Sequence, residues 1–445
     1  MALINHIFTS EIPSRHRFSK LTLDKIILSW FFRGALLLLL TPTTLVLAQD
    51  KEQLAVLTLA EAVERTFANN PDLQSYQYKL QAQQGKIIQA DLSPKPQVEL
   101  TIEDALGSGD FSGVDSAQTT LSVSWILDQS IKNERVNIAS QNKKLIENEQ
   151  TIQRLDSAAQ TAKYFLTALS FQQQILIARR GITFAETTVA EVKKRVKVGK
   201  TPLAELYRAE AELAKRELLL VDKNHELESS IRRLAAQWGS TSPNFNAVSG
   251  SLSNQPQVVS FPVLKNRLLN NPHIAKYLSL ERVKQAELKL AQEERNRQWK
   301  FTTGVKHYQR SNDYGLVASF SIPFGGNNNN QGRISEVKAK LSQNQSEAEA
   351  LKIRIETSLF IVYQQLEHSF HLSENLALEI IPRLEKALKE TYKAYELGKY
   401  SYLEWLAVQN ELLDAQSALL EANLSAHFNR LELERLTGTQ ITSPF

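Results

Sequence analysis

The chain of 445 residues contains no cysteine, and its only methionine is Met1. Without thiols it can form no disulfide, no zinc–thiolate site and no cysteine nucleophile. A lipid attached to an N-terminal cysteine is excluded for the same reason. Soft metal ions prefer thiolate and thioether ligands, so the sequence predicts no series of soft-metal sites along the chain.

Glycine, proline and aromatic residues are also scarce, with 16 glycines, 13 prolines and 8% aromatic residues. A composition rich instead in Ala, Leu, Glu, Gln and Lys is typical of long helices. The 52 basic and 48 acidic residues give a net charge of +4, and no basic block indicates nucleic-acid binding. No Gly-rich phosphate loop or Ser/His/Asp constellation stands out. The sequence therefore predicts a protein that is not an enzyme and binds no cofactor.

The longest apolar run lies near the N-terminus. The segment ALLLLLTPTTLVLA, residues 35–48, follows several basic residues and ends with small residues before Gln49. It is short for a membrane span and is interrupted by Pro42. These features predict a cleaved signal peptide over residues 1–48, with an uncleaved anchor as the alternative. No later stretch of 18 apolar residues follows, so entry into a membrane would require β-strands.

Two parts of the chain resemble each other. The segment TLAEAVERTFANNPDL at 58–73 matches FPVLKNRLLNNPHI at 261–274, and RVKVGKTPLAEL at 195–206 matches AYELGKYSYLEW at 394–405. Self-similarity at a fixed offset indicates an internal duplication. The predicted parts are a first repeat at 49–238, a connector rich in Ser, Asn, Pro and Gly at 239–260, a second repeat at 261–438 and a tail at 439–445.

Each repeat is predicted to run through a helix, two short strands, a very long helix, a corner and a final helix. In the first long helix, over about 130–197, apolar residues alternate at spacings of three and four, as in a coiled coil. A second long helix over 332–397 has the same pattern, and Pro382 should kink it without ending it. Taken alone, these helices favour a structural coiled-coil rod.

Four segments alternate apolar and polar residues and are predicted strands at about 97–104, 118–127, 299–309 and 314–324. Strands with lipid on one side and water on the other have this alternation. An aromatic girdle is predicted, with Trp125, Trp299 and Phe324 at one rim and Tyr308 and Tyr314 at the other. Soluble hairpins packed on the helices are the alternative.

Four strands cannot close a barrel, and an open sheet edge in lipid would leave N–H and C=O groups unpaired. Three chains would supply twelve strands, and a cyclic trimer closes them into one barrel. The predicted fold is therefore mainly α with a small β part. It is a trimeric 12-stranded membrane β-barrel continued by a long α-helical coiled-coil barrel, which the resemblance described next implies to lie in the outer membrane and the periplasm respectively.

Together these features resemble the TolC-type outer-membrane efflux proteins, and they are most similar to the CzcC-type heavy-metal efflux branch. The resemblance rests on LTLAEAVERTFANNPDLQ (57–74), RVKVG (195–199), GSGDFSGVDSAQTTLSVS (107–124) and SIPFGGNNNNQGRI (321–334). One departure is LDQSIKNER (127–135), where relatives often carry Gly-Gly-Lys-Arg.

The resemblance implies a homotrimeric duct in the outer membrane of a Gram-negative bacterium, surrounded by lipid and extended into the periplasm. Its expected partners are a periplasmic adaptor (membrane fusion) protein and an inner-membrane pump, expected to be of the RND type. Heavy-metal cations are the expected cargo, and drugs are the alternative. A non-conducting periplasmic coiled-coil scaffold is the alternative function.

The resemblance also implies roles for the two corners. The expected adaptor-docking residues are Arg195, Val198, Gly199, Lys200, Leu397, Gly398 and Lys399. A periplasmic gate is expected at Glu205, Glu404 and Tyr395, the tyrosine matching an aromatic that ties the closed gate in relatives. Both glutamates follow a corner glycine by six residues, and the alternative is that they are ordinary first-turn helix residues. One further family acid is Ala407 here.

One metal-binding alternative comes from the second long helix. His368 and His371 could share a metal with Glu367, but such side chains are ordinary on polar helix faces, so no metal site is predicted.

Overall fold

The computed structural model of the protein describes residues 55–254, 257, 259–295, 298–322 and 330–439. The chain divides into Met1–Lys51 and Glu52–Phe445, and all described residues belong to the second unit. The predicted signal peptide, Phe324 and residues 440–445 of the predicted tail lie outside the described residues.

The described residues are mainly helical, as predicted. The helices are α1 (Leu59–Asn69), α2 (Pro71–Ala90), α3 (Gln129–Lys197), α4 (Leu203–Ala235), α5 (Phe261–Arg267), α6 (Pro272–Glu293), α7 (Gln331–Asn375), α8 (Ile381–Glu396) and α9 (Tyr402–Thr437). The strands are β1 (Ala55–Leu57), β2 (Gln97–Glu103), β3 (Gln118–Leu127), β4 (Phe245–Val248), β5 (Trp299–Tyr308) and β6 (Asp313–Ser321). None of the described helices is both long enough and apolar enough to cross a membrane.

The single helix predicted at the start of each repeat is two helices, because an Asn-Pro step interrupts it. Asn70 and Asn271 are the N-caps of α2 and α6, and a proline follows each. The Asn70 side-chain oxygen accepts from the Leu73 backbone N–H at 3.0 Å. Proline cannot donate the backbone bond that would continue the preceding helix, whereas it suits the first position of a new one.

The same two asparagines also close their repeats. The Asn70 amide donates to the carbonyl of Gln237 at 2.7 Å, and the Asn271 amide donates to the carbonyl of Leu436 at 2.6 Å. Both carbonyls lie at the end of the last helix of a repeat, where backbone acceptors lack helical partners. We call these contacts the asparagine clasps. Each joins the start of α2 or α6 to the end of its own repeat.

The helix α3 has 69 residues and is about 100 Å long at 1.5 Å per residue. It packs against α2, α4, α6 and α9, so both repeats contact it. The predicted seam is buried, as shown by Ala159, Ala162, Leu166 and Leu169. This seam belongs to the larger apolar core, which also takes in α1, β4 and part of α9.

The second long helix is interrupted where the sequence predicts a kink. A π-helical turn, Leu376–Ile380, joins α7 to α8, and Pro382 follows it in the first turn of α8. A proline at 382 cannot donate to the carbonyl of Leu378 and crowds it, and a wider turn accommodates this. The corresponding part of α3 is continuous helix. The two repeats therefore differ in stiffness.

Two sheets hold the described strands. The first is antiparallel in the order β2-β3-β5-β6, so each repeat supplies one hairpin and the hairpins meet through β3 and β5. The strands β2 and β6 form its edges. In the second sheet β1 pairs in parallel with β4, and the Gln172 side chain bonds both backbone groups of Val248, at 2.7 and 3.0 Å.

Candidate functional site

One face of the four-stranded sheet is apolar and exposed. Its side chains are between 38 and 90% exposed: Val98, Leu100, Ile102, Leu121, Trp125, Leu127, Trp299, Phe301, Val305, Leu316 and Phe320. The register places Val305 between Leu121 and Leu316, so the apolar side chains form continuous rows across the strands. We call this surface the apolar sheet face. An exposed apolar surface of this extent marks contact with a membrane or another protein.

The opposite face of the sheet is polar and more enclosed. Thr120 and Ser124 of β3 are at most 9% exposed. The Lys306 ammonium donates to a Glu103 carboxylate oxygen at 2.9 Å and to the Gln118 side-chain oxygen at 2.7 Å, which ties β5 to β2 and β3. The more enclosed face of the sheet is thus polar and the exposed face is apolar, the reverse of a sheet in a water-soluble protein.

Three of the predicted girdle residues lie on the apolar sheet face. Trp125 stacks on Phe301 with ring centroids 6.1 Å apart, at the end of the sheet that leads into the helices. Trp299 lies at the same end, and Tyr314 lies at the opposite end.

Tyr308 is at the predicted end of the sheet but on the other face. It contacts the Lys306 ammonium, 5.9 Å from its ring, and a Cβ atom on Gly315 would touch the ring at 3.4 Å. The prediction that Tyr308 belongs to an outward girdle is therefore wrong. In β5 every second residue faces the same way, and Tyr308 follows Lys306 by two.

The two corners have the same backbone structure. Gly199 and Gly398 have positive φ, +68° and +73°. The Gly199 and Lys200 N–H groups bond the carbonyls of Val196 and Arg195, and the equivalent pair of bonds forms after α8. This is the Schellman ending, which uses a glycine with positive φ to satisfy the last helical carbonyls.

The predicted docking residues are mostly at the surface. Val198 and Leu397 are 67 and 70% exposed, and Lys200 and Lys399 are exposed beside them. Arg195 is the exception, because its guanidinium turns inward onto the ring of Tyr395, 4.1 Å from the centroid.

An aromatic cluster fills the space between the corners. Tyr395, Tyr402 and Trp405 are at most 3% exposed and pack with Val192 and Leu206. The Tyr395 and Trp405 rings stack with centroids 5.1 Å apart. Burial raises the pKa of Tyr395, so its hydroxyl stays neutral at any physiological pH. Its hydroxyl has no hydrogen-bond partner among the described residues.

The two predicted gate glutamates are not equivalent. Glu404 forms a capping box, accepting from the Ser401 N–H at 2.6 Å and the Ser401 hydroxyl at 2.8 Å. These bonds hold the pKa of the exposed Glu404 carboxyl below its usual value of 4.5. In the first repeat Pro202 stands in place of the serine and offers no side-chain cap. The Glu205 carboxylate forms no hydrogen bond or ion pair with another described residue.

Two features of the site were not predicted. The capping box has a sequence signature, a serine three residues before a glutamate at a helix start, which Ser401 and Glu404 satisfy. The contact of Arg195 with Tyr395 joins residues 200 positions apart and has no local signal.

His368, His371 and Glu367 of the second long helix lie within the described residues. No set of three or more His, Asp or Glu side chains placed to hold a metal ion occurs in the part of the chain that the structure describes, which includes Glu367, His368 and His371.

Comparison with known proteins adds to this geometry. The pattern of the family described as "Outer membrane efflux protein" matches residues 62–240. The chain is 26% identical over 405 residues to the cobalt-zinc-cadmium resistance protein CzcC of Cupriavidus metallidurans, which covers 89% of this chain and 94% of that protein. Over residues 62–240 the chain is similar to the outer membrane efflux protein family. The predicted resemblance to the CzcC branch and the predicted outer-membrane location are confirmed.

Solved structures of membrane channel proteins and outer membrane proteins have the same fold. The structure of CusC matches with a TM-score of 0.70 and 19% identity, covering 86% of this chain and 92% of that one. The outer membrane protein VceC of Vibrio cholerae matches with a TM-score of 0.69 and 16% identity, covering 86% and 96%. These likenesses confirm the predicted fold of a small barrel portion continued by long helices.

Proposed function

We propose that this chain is an outer membrane efflux protein and forms the passive exit duct of a tripartite efflux system, so that it is a transporter and not an enzyme. The observation that carries the proposal is the sheet with an exposed apolar face and a polar face that is buried along β3, joined at one end to long helices of which α3 is about 100 Å long. The apolar sheet face fits lipid, the polar face fits a water-filled lumen, and the helices reach across the periplasm.

The duct requires a homotrimer. The strands β2 and β6 each pair with one other strand among the described residues, so both edges of the four-stranded sheet are left without a partner strand. In a trimer, β6 of one copy pairs with β2 of the next and closes twelve strands. Exposed apolar residues also occur on the helices adjacent in sequence to the two edge strands, with Tyr78 and Ile88 on α2 and Phe360 and Ile361 on α7. These surfaces become subunit contacts in the trimer.

The corners are the docking surface for a periplasmic adaptor, which connects the duct to an inner-membrane pump of the RND type. Their exposed residues combine one apolar side chain with one lysine, Val198 with Lys200 and Leu397 with Lys399. Three copies present six such corners in a ring, and a helical hairpin with apolar and acidic residues complements each one.

The cargo is heavy-metal cations, the class named for the CzcC relative. In the trimer, three Glu205 carboxylates that have no hydrogen-bond or ion-pair partner among the described residues surround the entrance. They attract cations, as acidic rings do in cation channels. Glu404 adds a charge at the same level, but its carboxylate is already bound to Ser401.

Purified protein in a planar bilayer tests the duct. We expect cation-selective conductance that multivalent cations block. The variant Glu205→Gln should lose more cation preference than Glu404→Gln, and the double variant should lose most of it. Glu210→Gln, on an exposed face of α4, is the matched control. Absence of conductance together with extraction in water without detergent would instead support the scaffold function.

Two further measurements address location and cargo. N-terminal sequencing of protein from isolated outer membranes should begin at or near Gln49; recovery from the inner membrane with residues 1–48 attached contradicts this. Deleting the gene should sensitise cells to cobalt, zinc or cadmium. Sensitivity to drugs alone would make drugs the cargo.

A further inference from the structure

The loop that joins β2 to β3, residues 104–117, has a fixed structure at the end of the sheet away from the helices. Its own backbone bonds close it: the Leu106 N–H donates to the Gly113 carbonyl at 2.7 Å, and the Gly107 N–H donates to the Phe111 carbonyl at 2.8 Å. Compact surface loops of this kind, with their ends close together, are Ω-loops and frequently carry function. We call this segment the rim loop.

The rim loop leaves β2 on the polar side of the sheet. Glu103, the last residue of β2, faces that side, where its carboxylate accepts from Lys306. Strand alternation would turn the next side chain to the apolar sheet face. Asp104 instead has φ of +55°, and its carboxylate accepts from the Gln118 side chain at 2.7 Å, on the polar side. The backbone therefore bends towards the polar side at the first residue of the loop.

A second contact holds the far side of the rim loop. Arg310 lies in the turn between β5 and β6, and its guanidinium donates to the Asp110 carbonyl at 3.1 Å and to the Ser116 hydroxyl at 2.9 Å. Strand β3 lies between β2 and β5, so the loop crosses the end of one strand to reach this turn. A chord across the wall of a barrel lies on its concave side. In the proposed duct that side is the lumen.

The rim loop presents apolar side chains to solvent. Leu106, Phe111 and Val114 are 82, 48 and 58% exposed. Leu106 also has φ of +59°, a conformation that leucine rarely adopts and that persists only where the surrounding structure holds it. Apolar side chains that are held in one conformation and exposed together mark a contact surface.

The size of the proposed barrel brings three rim loops within reach of one another. Twelve strands spaced about 4.8 Å apart and tilted by about 40° give a wall with a radius of about 12 Å. Half of a loop of this length, fully extended at about 3.3 Å per residue, would span about 23 Å. Even a compact rim loop can therefore approach the threefold axis. One copy supplies a third of the contact, which is complete only in the trimer.

We propose that the three rim loops of a trimer meet through Leu106, Phe111 and Val114 and form an apolar lid over the outer mouth of the duct. Arg310 is the positioning residue that holds each rim loop over the lumen. A narrow apolar constriction excludes water and ions until it widens, as hydrophobic gates do in channels. The lid rests on the proposed function, since it needs the trimer and closes the same duct.

Cysteine crosslinking tests the lid, because the chain has no native cysteine. Leu106→Cys, Phe111→Cys and Val114→Cys each place one thiol in each copy, so any disulfide joins two copies. A disulfide requires Cβ atoms about 4 Å apart. Equivalent residues on a wall with a radius of about 12 Å lie about 21 Å apart. After oxidation of purified trimers, we expect linked dimers from at least one of the three variants. Ser311→Cys, exposed in the β5–β6 turn, is the matched control and should give none.

Bilayer conductance tests whether the contact closes the duct. Oxidation of a variant that forms linked dimers should lower its conductance, and a reductant should restore it. Arg310→Ala removes both bonds to the rim loop, so it should raise the mean conductance of the protein without cysteine and reduce the yield of linked dimers when combined with a cysteine variant. Ser311→Ala should conduct as the parent protein does.

Two results would overturn the lid. One is a set of trimers that conduct normally but form no linked dimer at any of the three positions, in which case the duct stands without a lid. The other is quenching of a fluorophore on Val114→Cys by quenchers attached to lipid chains, which would place the rim loop in the membrane surface. Trimers that link through these cysteines but do not conduct would refute the duct and leave the contact between the rim loops.

Discussion

At the scale of single residues, the two corner glutamates show that a duplicated sequence need not have duplicated chemistry. The spacing from glycine to glutamate is the same in both corners, but Ser401 faces Glu404 where Pro202 precedes Glu205. The hydroxyl and the backbone N–H of a serine can both donate to a carboxylate at the start of a helix, whereas a proline has neither donor. The charge available at each corner therefore depends on a neighbour three residues away.

The cap of α9 should depend on pH through Glu404. Because its folded-state pKa is lowered, its contribution is complete above the unfolded value and is lost as pH falls through the folded value, below 4.5. We expect hydrogen exchange of the first turn of α9, relative to its intrinsic rate, to increase in that window. Glu404→Gln keeps the capping bonds of a neutral acceptor, so its exchange should not change with pH there. Equal pH dependence in both proteins would contradict the cap.

The contact of Arg195 with Tyr395 shows where sequence reasoning ends at this scale. A basic residue in the last turn of a helix is ordinarily expected to serve its own helix end. Nothing local in RVKVG indicates that the guanidinium bonds another helix 200 residues away. The ring beneath it belongs to Tyr395, whose role in a gate is implied by family resemblance and stays a prediction.

At the scale of helices and strands, much of the fold is predictable because it depends on local patterns. Alternation over seven to ten residues indicated β2, β3, β5 and β6, and the isolated Gly-Lys pairs indicated both corners. The asparagine clasps were visible only as a repeated Asn-Asn-Pro. Their contacts to Gln237 and Leu436 span more than 160 residues, and a local sequence pattern cannot predict a contact between residues so far apart in sequence.

Substitution of the corner glycines should weaken adaptor coupling more than trimer assembly. A Cβ at Gly199 or Gly398 would meet no atom within 4 Å, so Gly→Val costs only the positive φ, about 1–2 kcal/mol. This is small against a large trimer interface. Crosslinking to an adaptor and trimer recovery on native gels measure the two effects. Gly332→Ala is the control, because Gly332 lies in α7 without positive φ and the change should be neutral or slightly stabilising.

A variant that abolishes trimers but leaves adaptor crosslinks intact would show that the corners serve assembly and not docking.

Loss of a clasp should lower the stability of the folded chain. Asn271 is 1% exposed and serves two helix ends, so Asn271→Ala should cost about 2 kcal/mol from the lost cap and the unpaired carbonyl of Leu436. The apparent melting temperature of the protein in detergent measures this. Asn69→Ala, at an exposed residue of α1, should leave it unchanged. Equal melting temperatures for both variants would show that the clasp does not contribute.

At the scale of the whole molecule, the apolar sheet face determines where the protein can reside. Leu316 is 90% exposed near the middle of β6, where the proposed barrel meets lipid. Arginine at such a depth costs about 2–4 kcal/mol. Leu316→Arg should therefore reduce the amount of trimer recovered from the outer membrane, as measured by fractionation and heat-modifiable migration.

Ser319→Arg adds the same charge to the same strand on the polar face and should insert normally. Equal recovery of both arginine variants would mean that the apolar sheet face does not contact lipid.

The pairing of β1 with β4 has a consequence for the order in which the chain folds. The three residues of β1 find their parallel partner about 190 residues later, in the segment just after the first repeat, where Gln172 of α3 also binds. Contacts between residues so distant in sequence form slowly, because the entropy cost of closing a long loop comes before any stabilising hydrogen bond forms. Strand β1 therefore stays unpaired until β4, which follows the whole first repeat in sequence, is available. The pairing of β1 with β4 needs no residue of the second repeat. We therefore expect the first repeat to fold as an early unit.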